Sequence, residues 1–241
     1  MITIEKLDFA YGKQKVFENI NLNFQEGHIY GLLGENGVGK TTLLKIINGL
    51  QSPNQGECII DGKNPFARTP DFLQEIFFLP EGGIAPGYTT PIKYADSIGV
   101  FYPNYDRSLF LDLMNEMEVV HDKKFEQLSY GQKKKAMFCL AVALKTKYLL
   151  LDEPTNGLDI PSKTDFRRIM ARYTTENTIA IISTHQVKDI ENLIDPIVIL
   201  AKDDVLINAL IEEIAAKLYF SFDNEQNDQA IYSEMVPGGF I

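Results

Sequence analysis

An apolar run, Ile29–Tyr30–Gly31–Leu32–Leu33, gives way to the octet Gly34–Glu35–Asn36–Gly37–Val38–Gly39–Lys40–Thr41, and apolar character resumes in Thr42–Leu43–Leu44–Lys45–Ile46–Ile47. A short continuous apolar run marks a strand buried on both faces, which points to a parallel sheet. The second stretch reads as a helix, with Gly49 as its stop. The octet fits G-x-x-x-x-G-K-[ST], so a strand, a glycine-rich turn and a helix follow one another here. Gly34, Gly37 and Gly39 allow the backbone to wrap with its N–H groups turned inward on an anion. The positive end of the helix points at the same place, and Lys40 adds a mobile charge for terminal phosphates. The Thr41 hydroxyl is an oxygen able to ligate Mg²⁺. The implied ligand is a nucleotide polyphosphate, cradled by the loop with Glu35, Asn36, Val38 and Thr42 as its remaining members.

The pattern of the remaining chain agrees with an α/β fold. Ile2, Ile4, Leu7 and Phe9 start one strand and Val16 to Phe24 form another, while Cys58–Ile59–Ile60 before Asp61–Gly62 reads as a hairpin strand and its turn. Ile76 to Leu79 is a strand halted by Pro80, and two amphipathic helical segments follow around Tyr94–Phe101 and Leu109–Met117. Tyr148 to Leu151 and Thr178 to Ser183 are again continuous apolar strands. Strands alternating with helices predict a mainly parallel sheet, with the middle helical block as an inserted lobe. Ser221 to Ile241 is polar, acidic and irregular, and suggests no role.

Leu149–Leu150–Leu151–Asp152–Glu153–Pro154 is an apolar strand that ends in two carboxylates. In open parallel sheets, ligands gather at the carboxyl ends of the strands. Asp152 at such an end can hold Mg²⁺, directly or through water. Glu153, facing differently, can orient and polarise an attacking water.

Leu128–Ser129–Tyr130–Gly131–Gln132 opens a second long helical stretch, with Ser129 a good N-cap. Asn156–Gly157–Leu158–Asp159 follows the carboxylate pair, and Ser183–Thr184–His185 ends the next strand. In this order, from about Ile2 to Leu206, the set resembles the ATP-binding cassette (ABC) family. That resemblance implies a P-loop NTPase core with a mainly parallel sheet, an N-terminal antiparallel β subdomain and an inserted α-helical lobe. The corresponding divisions are 1–85 and 128–206 for the core, 86–127 for the lobe, and 207–241 for an extension of unknown role. It implies ATP and Mg²⁺ as ligands, with Thr41, Glu81 and Asp152 around the metal. Tyr11 matches the aromatic residue that stacks on adenine, and His185 the histidine that contacts the γ-phosphate. Ser129, Tyr130, Gly131 and Gln132 match the signature that meets a nucleotide bound by a second subunit. Asp159 matches the loop that links the two sites. The chain departs from the family pattern twice: Glu81 stands where glutamine is common, adding a negative charge, and Tyr130 stands where a second glycine is common.

The resemblance further implies catalysis of ATP hydrolysis by Lys40, Glu153 and His185 in a head-to-tail dimer, with a second copy or a paralogue as partner. Multispanning permease subunits would be driven by it, and the overall look favours export. Composition fits. The formal net charge of -10 disfavours non-specific nucleic-acid binding. Met1 to Phe9 does not resemble a signal peptide, and no window approaches the roughly 20 apolar residues of a spanning helix. Cys58 and Cys139 lie in apolar stretches without metal-type spacing and read as buried reduced thiols. A soluble chain in the cytoplasm, held at the inner face of the membrane by its permease, is the expectation. The alternative is a soluble cassette ATPase in a non-transport process. Its DNA-repair and chromosome-organising members carry a long coiled coil before the signature, whereas residues 41–128 here show no sustained heptads. Its ribosome-associated members carry two cassettes in one chain.

Overall fold

The computed structural model describes residues 1–82, 85–202, 204–217, 235–236 and 239–240. The first elements are β1 (Ile2–Tyr11), β2 (Gln14–Phe24), β3 (His28–Leu33), α1 (Lys40–Ile47), β4 (Gln55–Ile60), α2 (Pro70–Leu73) and β5 (Ile76–Leu79). Next come α3 (Pro91–Gly99), α4 (Arg107–Glu116), α5 (Tyr130–Ala143), β6 (Tyr148–Asp152), α6 (Ile160–Tyr173) and β7 (Ile179–Thr184). The last are β8 (Ile197–Ala201), β9 (Asp204–Ala209), α7 (Ile211–Ala215), β10 (Met235–Val236) and β11 (Gly239–Phe240). Met1–Asn208 form one compact unit and Ala209–Ile241 a second. The second unit contains α7 and the antiparallel pair β10–β11. The rest of the polar tail read in Ser221–Ile241 lies outside the described residues.

Two sheets build the first unit. One is antiparallel, in the order β2-β1-β4. The other runs β5-β6-β7-β3-β8-β9, with parallel pairing from β5 through β8. Every residue of β6 and β7 is buried, as the unbroken apolar runs require of strands covered on both faces. Side-chain alternation divides them between two cores. Leu150, Ile179 and Ile181 join α1 and the antiparallel sheet, whereas Leu149, Leu151, Ala180 and Ile182 join α5 and α6.

The expected hairpin after Cys58 is only half formed. A tight turn at Asp61–Gly62 does bring Ile60 opposite Lys63, but β4 takes β1 as its strand partner. The apolar side chains Ile2, Ile4, Cys58 and Ile60 meet in one core, and a long-range pairing serves that burial better than a local one.

The inserted helices follow their apolar stripes. Asp106 caps α4, accepting from the Leu109 N–H at 2.9 Å, and Thr90 caps α3. Leu109, Phe110, Leu113 and Met114 face inward and share one continuous core with Ala136–Leu144 of α5 and with Phe77 and Leu79 of β5. At the far end, the Gln132 side-chain amide accepts from Val120 N–H at 3.0 Å and donates to the Glu118 carbonyl at 3.0 Å. The lobe is thus packed onto the helix that opens with Ser129. Leu113 is fully buried in this joint. Leu113→Ala is expected to cost about 2–5 kcal/mol in equilibrium urea unfolding. A cost below about 1 kcal/mol would mean that the joint is loose.

Candidate active site

The phosphate loop is shaped by the sheets on either side of it. Gly34, Gly37 and Gly39 all have positive φ, at 146, 87 and 111. At Gly39 there is no room for a side chain either, since a Cβ would lie 2.6 Å from Cζ of Phe17 in β2. Gly39 also precedes α1 without supplying a side-chain cap, and the first turn of α1 carries no acidic residue. The N–H groups there remain directed at the loop's interior, where an anion can accept from them. Val38 instead packs its side chain against the core of the antiparallel sheet, so only its backbone can serve the loop.

Lys40 is buried, and its ammonium donates to the carbonyls of Gly34 at 2.7 Å and Glu35 at 3.0 Å. Burial lowers its pKa, and the nearby carboxylates of Glu153, Asp152 and Glu81 oppose that shift. Glu153 Oε1 is 3.9 Å from the ammonium.

Asp152, at the end of β6, is held on both oxygens. Thr41 donates its hydroxyl to Oδ2 at 2.8 Å, and Ser183 of β7 donates to Oδ1 at 2.5 Å. The Ser183 hydroxyl also accepts the Glu153 N–H at 3.1 Å. Glu153 itself has φ 47, a left-handed backbone that is uncommon for a side chain of its size and tends to occur at functional sites. The bend turns its buried carboxylate across the strand ends to His185, whose Nδ1 lies 2.8 Å from Oε1. The other ring nitrogen, Nε2, lies 3.3 Å from the Gln186 side-chain amide.

These groups surround a cleft of about 510 Å³, a ligand-sized volume. Tyr11, Asn36, Gly37, Gly39, Lys40, Thr41, Thr42, Glu81, Asp152, Glu153 and His185 all line it. Tyr11 is half exposed, edge-on to Phe9, with its hydroxyl 3.5 Å from that of Thr42. Glu81 reaches the rim, where Oε1 accepts from the Asn156 amide at 2.7 Å. The signature residues stand apart from the lining. Ser129 caps α5, accepting from Gln132 N–H at 3.2 Å, and Asp159 caps α6, accepting from Ser162 N–H at 3.0 Å. Both caps are exposed. Hydrogen bonds from Ser162 hold the Asp159 carboxyl below its ordinary pKa.

The pattern of the ABC transporter family matches residues 17–156. The ABC transporter ATP-binding protein YtrB of Bacillus subtilis is 31% identical over 98% of this chain and 82% of its own length. This chain is an ATP-binding protein of the ABC transporter family. The cobalt import ATP-binding protein CbiO of Salmonella typhi is 28% identical over 90% of the chain and 83% of its own length. A solved ATP-binding subunit of an ABC transporter superposes with a TM-score of 0.83 at 23% identity, covering 90% of this chain and 92% of that one. As an ABC transporter subunit the chain is an ATPase, and ATP-binding subunits of this family dimerise and work with membrane permeases.

Three residues that the motifs did not single out as ligands take part in the cleft's architecture: Ser183, Asn156 and Lys134. Ser183 lies in β7, two positions before His185, which follows the strand's end, and this spacing is the only sequence sign of its role. Ser183→Ala is expected to lower kcat for ATP about tenfold and to cost about 1–3 kcal/mol of stability. Steady-state phosphate release together with urea titration measures both. Parental kcat would show that the carboxylates do not depend on this hydroxyl.

Proposed function

We propose that two ATP-binding subunits, two copies of this chain or one copy with a paralogue, close head to tail around two ATP molecules and so drive transport through separate membrane subunits. The observation that carries this reading is the Glu153 carboxylate. It is buried, bent into the cleft by a left-handed backbone, and set between His185 and the ammonium of Lys40. In that position it accepts the proton of the attacking water as general base. Lys40 and the start of α1 receive the charge that develops on the transferred phosphoryl group, and His185 contacts the γ-phosphate. Tyr11, exposed beside Thr42, stacks on the adenine.

Mg²⁺ fits the donor set. The Thr41 hydroxyl and Asp152 Oδ2 converge 2.8 Å apart, and Glu81 lines the same cleft. Among the described residues no group of three or more His, Cys, Asp or Glu converges to hold a metal. Two or three protein oxygens suit a cation that takes its other ligands from phosphate and water. When bound it neutralises phosphate charge and orients the phosphates for in-line attack.

Ser129, Tyr130, Gly131 and Gln132 serve the nucleotide of the second subunit, which accounts for the exposed helix start standing outside the chain's own cleft. Asp159 couples the two sites across the interface. Among the described residues no helix is long and apolar enough to cross a membrane. The lobe of α3 and α4 presents Val100 and Phe101 to solvent, at 77% and 71% exposure, and this end docks on the permease at the cytoplasmic face of the membrane. CbiO is an importer by name, so membership of this family does not fix the direction of transport.

Glu153→Gln should keep ATP affinity within a few fold and lower turnover at least a hundredfold, a loss in the range general-base catalysis supplies. With ATP it should also elute as a dimer in size-exclusion chromatography, and adding Ser129→Arg should return it to monomer. Turnover at the parental rate removes Glu153 as base, and a monomer throughout removes the head-to-tail dimer.

The chain should co-purify from cells with a multispanning membrane protein, and Phe101→Asp should weaken that capture while basal ATPase stays within twofold. Crosslinks from the lobe that reach only cytosolic proteins or nucleic acid would favour the non-transport alternative.

A further inference from the structure

We propose that Lys134 is the positioning residue that holds Glu153 in its catalytic conformation and ties it to the signature helix of the same chain; this rests on Glu153 acting as general base. Lys134 lies four residues after Tyr130 on α5, and its side chain crosses from that helix to the loop after β6. Its ammonium donates to the Glu153 carbonyl at 2.6 Å and to the Asn156 carbonyl at 2.9 Å. The first of these is the carbonyl of the left-handed residue itself.

A left-handed backbone at a glutamate persists only where its surroundings fix it from both sides. On the amino side, the Glu153 N–H is held by the Ser183 carbonyl and hydroxyl. On the carbonyl side, the Asn156 N–H reaches the same oxygen at only 3.3 Å, so the shorter contact from Lys134 is the stronger restraint. A cation suits this place. Burial disfavours its charge, while Glu81, Glu153 and Asp152 favour it. Glu81, which stands where the family commonly has a neutral glutamine, contributes most to favouring the charge on Lys134.

Tyr130 completes the tie. Its ring centroid is 5.4 Å from the Lys134 ammonium, and the ring packs so closely on Gly157 that a Cβ there would lie 2.7 Å from Cε1. Two side chains of α5 therefore grip the loop that carries Glu153. Ser129, the cap of the same helix, faces outward to the second subunit's nucleotide in the proposed dimer. A shift of α5 on meeting that nucleotide reaches the base through Lys134. The occupancy of one site is thereby coupled to the alignment of the base in the other.

The test is steady-state ATPase and nucleotide affinity of the full chain with Mg-ATP, comparing Lys134→Met, Lys134→Gln and Glu153→Gln with the parent. Lys134→Met keeps the stem and removes the donor. It should lower kcat roughly 10- to 100-fold, the effect of a misplaced base, with KM and ATP affinity within about twofold. Lys134→Gln, a neutral donor, should fall between it and the parent. Parental kcat in Lys134→Met overturns the proposal. So does a parallel loss of kcat and ATP affinity in both variants, or failure of both to fold, since either result makes Lys134 a general support of the fold. If Lys134→Met alone fails to fold, Lys134→Gln decides by the same split between kcat and KM. Parental turnover in Glu153→Gln is a separate outcome that removes the base reading itself, whatever the lysine variants do.

Discussion

Hydrogen-bond register across three parallel strands sets the position of everything chemical in this protein. Leu32 of β3 pairs with Ser183 of β7, and Ser183 pairs with Asp152 of β6. The three chains therefore end level, one delivering the phosphate loop, one His185, and one the carboxylate pair. A slip of one residue in any of them would turn Asp152 or Ser183 to the opposite face of the sheet. The continuous apolar side chains above and below prevent this, because both faces are packed and every position is committed. The short bonds from Thr41 and Ser183 to Asp152 then fasten the strand ends together.

Charge balance follows from that placement. The cleft concentrates Glu81, Asp152 and Glu153 around a buried Lys40, with Lys134 behind them. Removing such groups from water is costly unless each finds a partner. Lys40 answers with two loop carbonyls and Lys134 with two more, while Glu153 takes His185. The left-handed bend at Glu153 is the local cost of aiming one carboxylate away from its neighbour. Adjacent acids on a regular strand would point to opposite faces of the sheet, and only the bend brings both to the same end.

The strands beside the site were legible because their signals are local. Ile76–Leu79 coincides with its expected strand, β3 and β6 differ from theirs by one residue, and the loop glycines have the backbone angles their spacing demands. α6 was not legible. Among its apolar side chains only Phe166, Ile169 and Met170 are buried, and Pro161 stands in its first turn, so the stripe is thin. β8 escaped because its parallel partner is β3, far away in sequence, and β9, which pairs with β8, because none of its residues is fully buried. The sharpest case is Lys133–Lys134–Lys135, where three identical side chains are indistinguishable in sequence. The helix sends Lys134 to Glu153 and Asn156, and Lys135 to the Met117 carbonyl. Helical periodicity separates their directions by about 100° each, but only the neighbours reveal what each direction meets. The role of Ser183 likewise rests on its register opposite Asp152, of which the spacing to His185 shows nothing.

The shared core of the lobe and α5 has a mechanical meaning. Leu113 and Met114 share one buried core with Phe138 and its neighbours, and Gln132 clasps the turn after α4. In the proposed dimer, the lobe and α5 would therefore move together. A push on the lobe near Phe101 would pass to α5 across many buried side chains rather than along one loop. Displacement at the lobe's outer end would then carry with it Ser129, the cap at the start of α5.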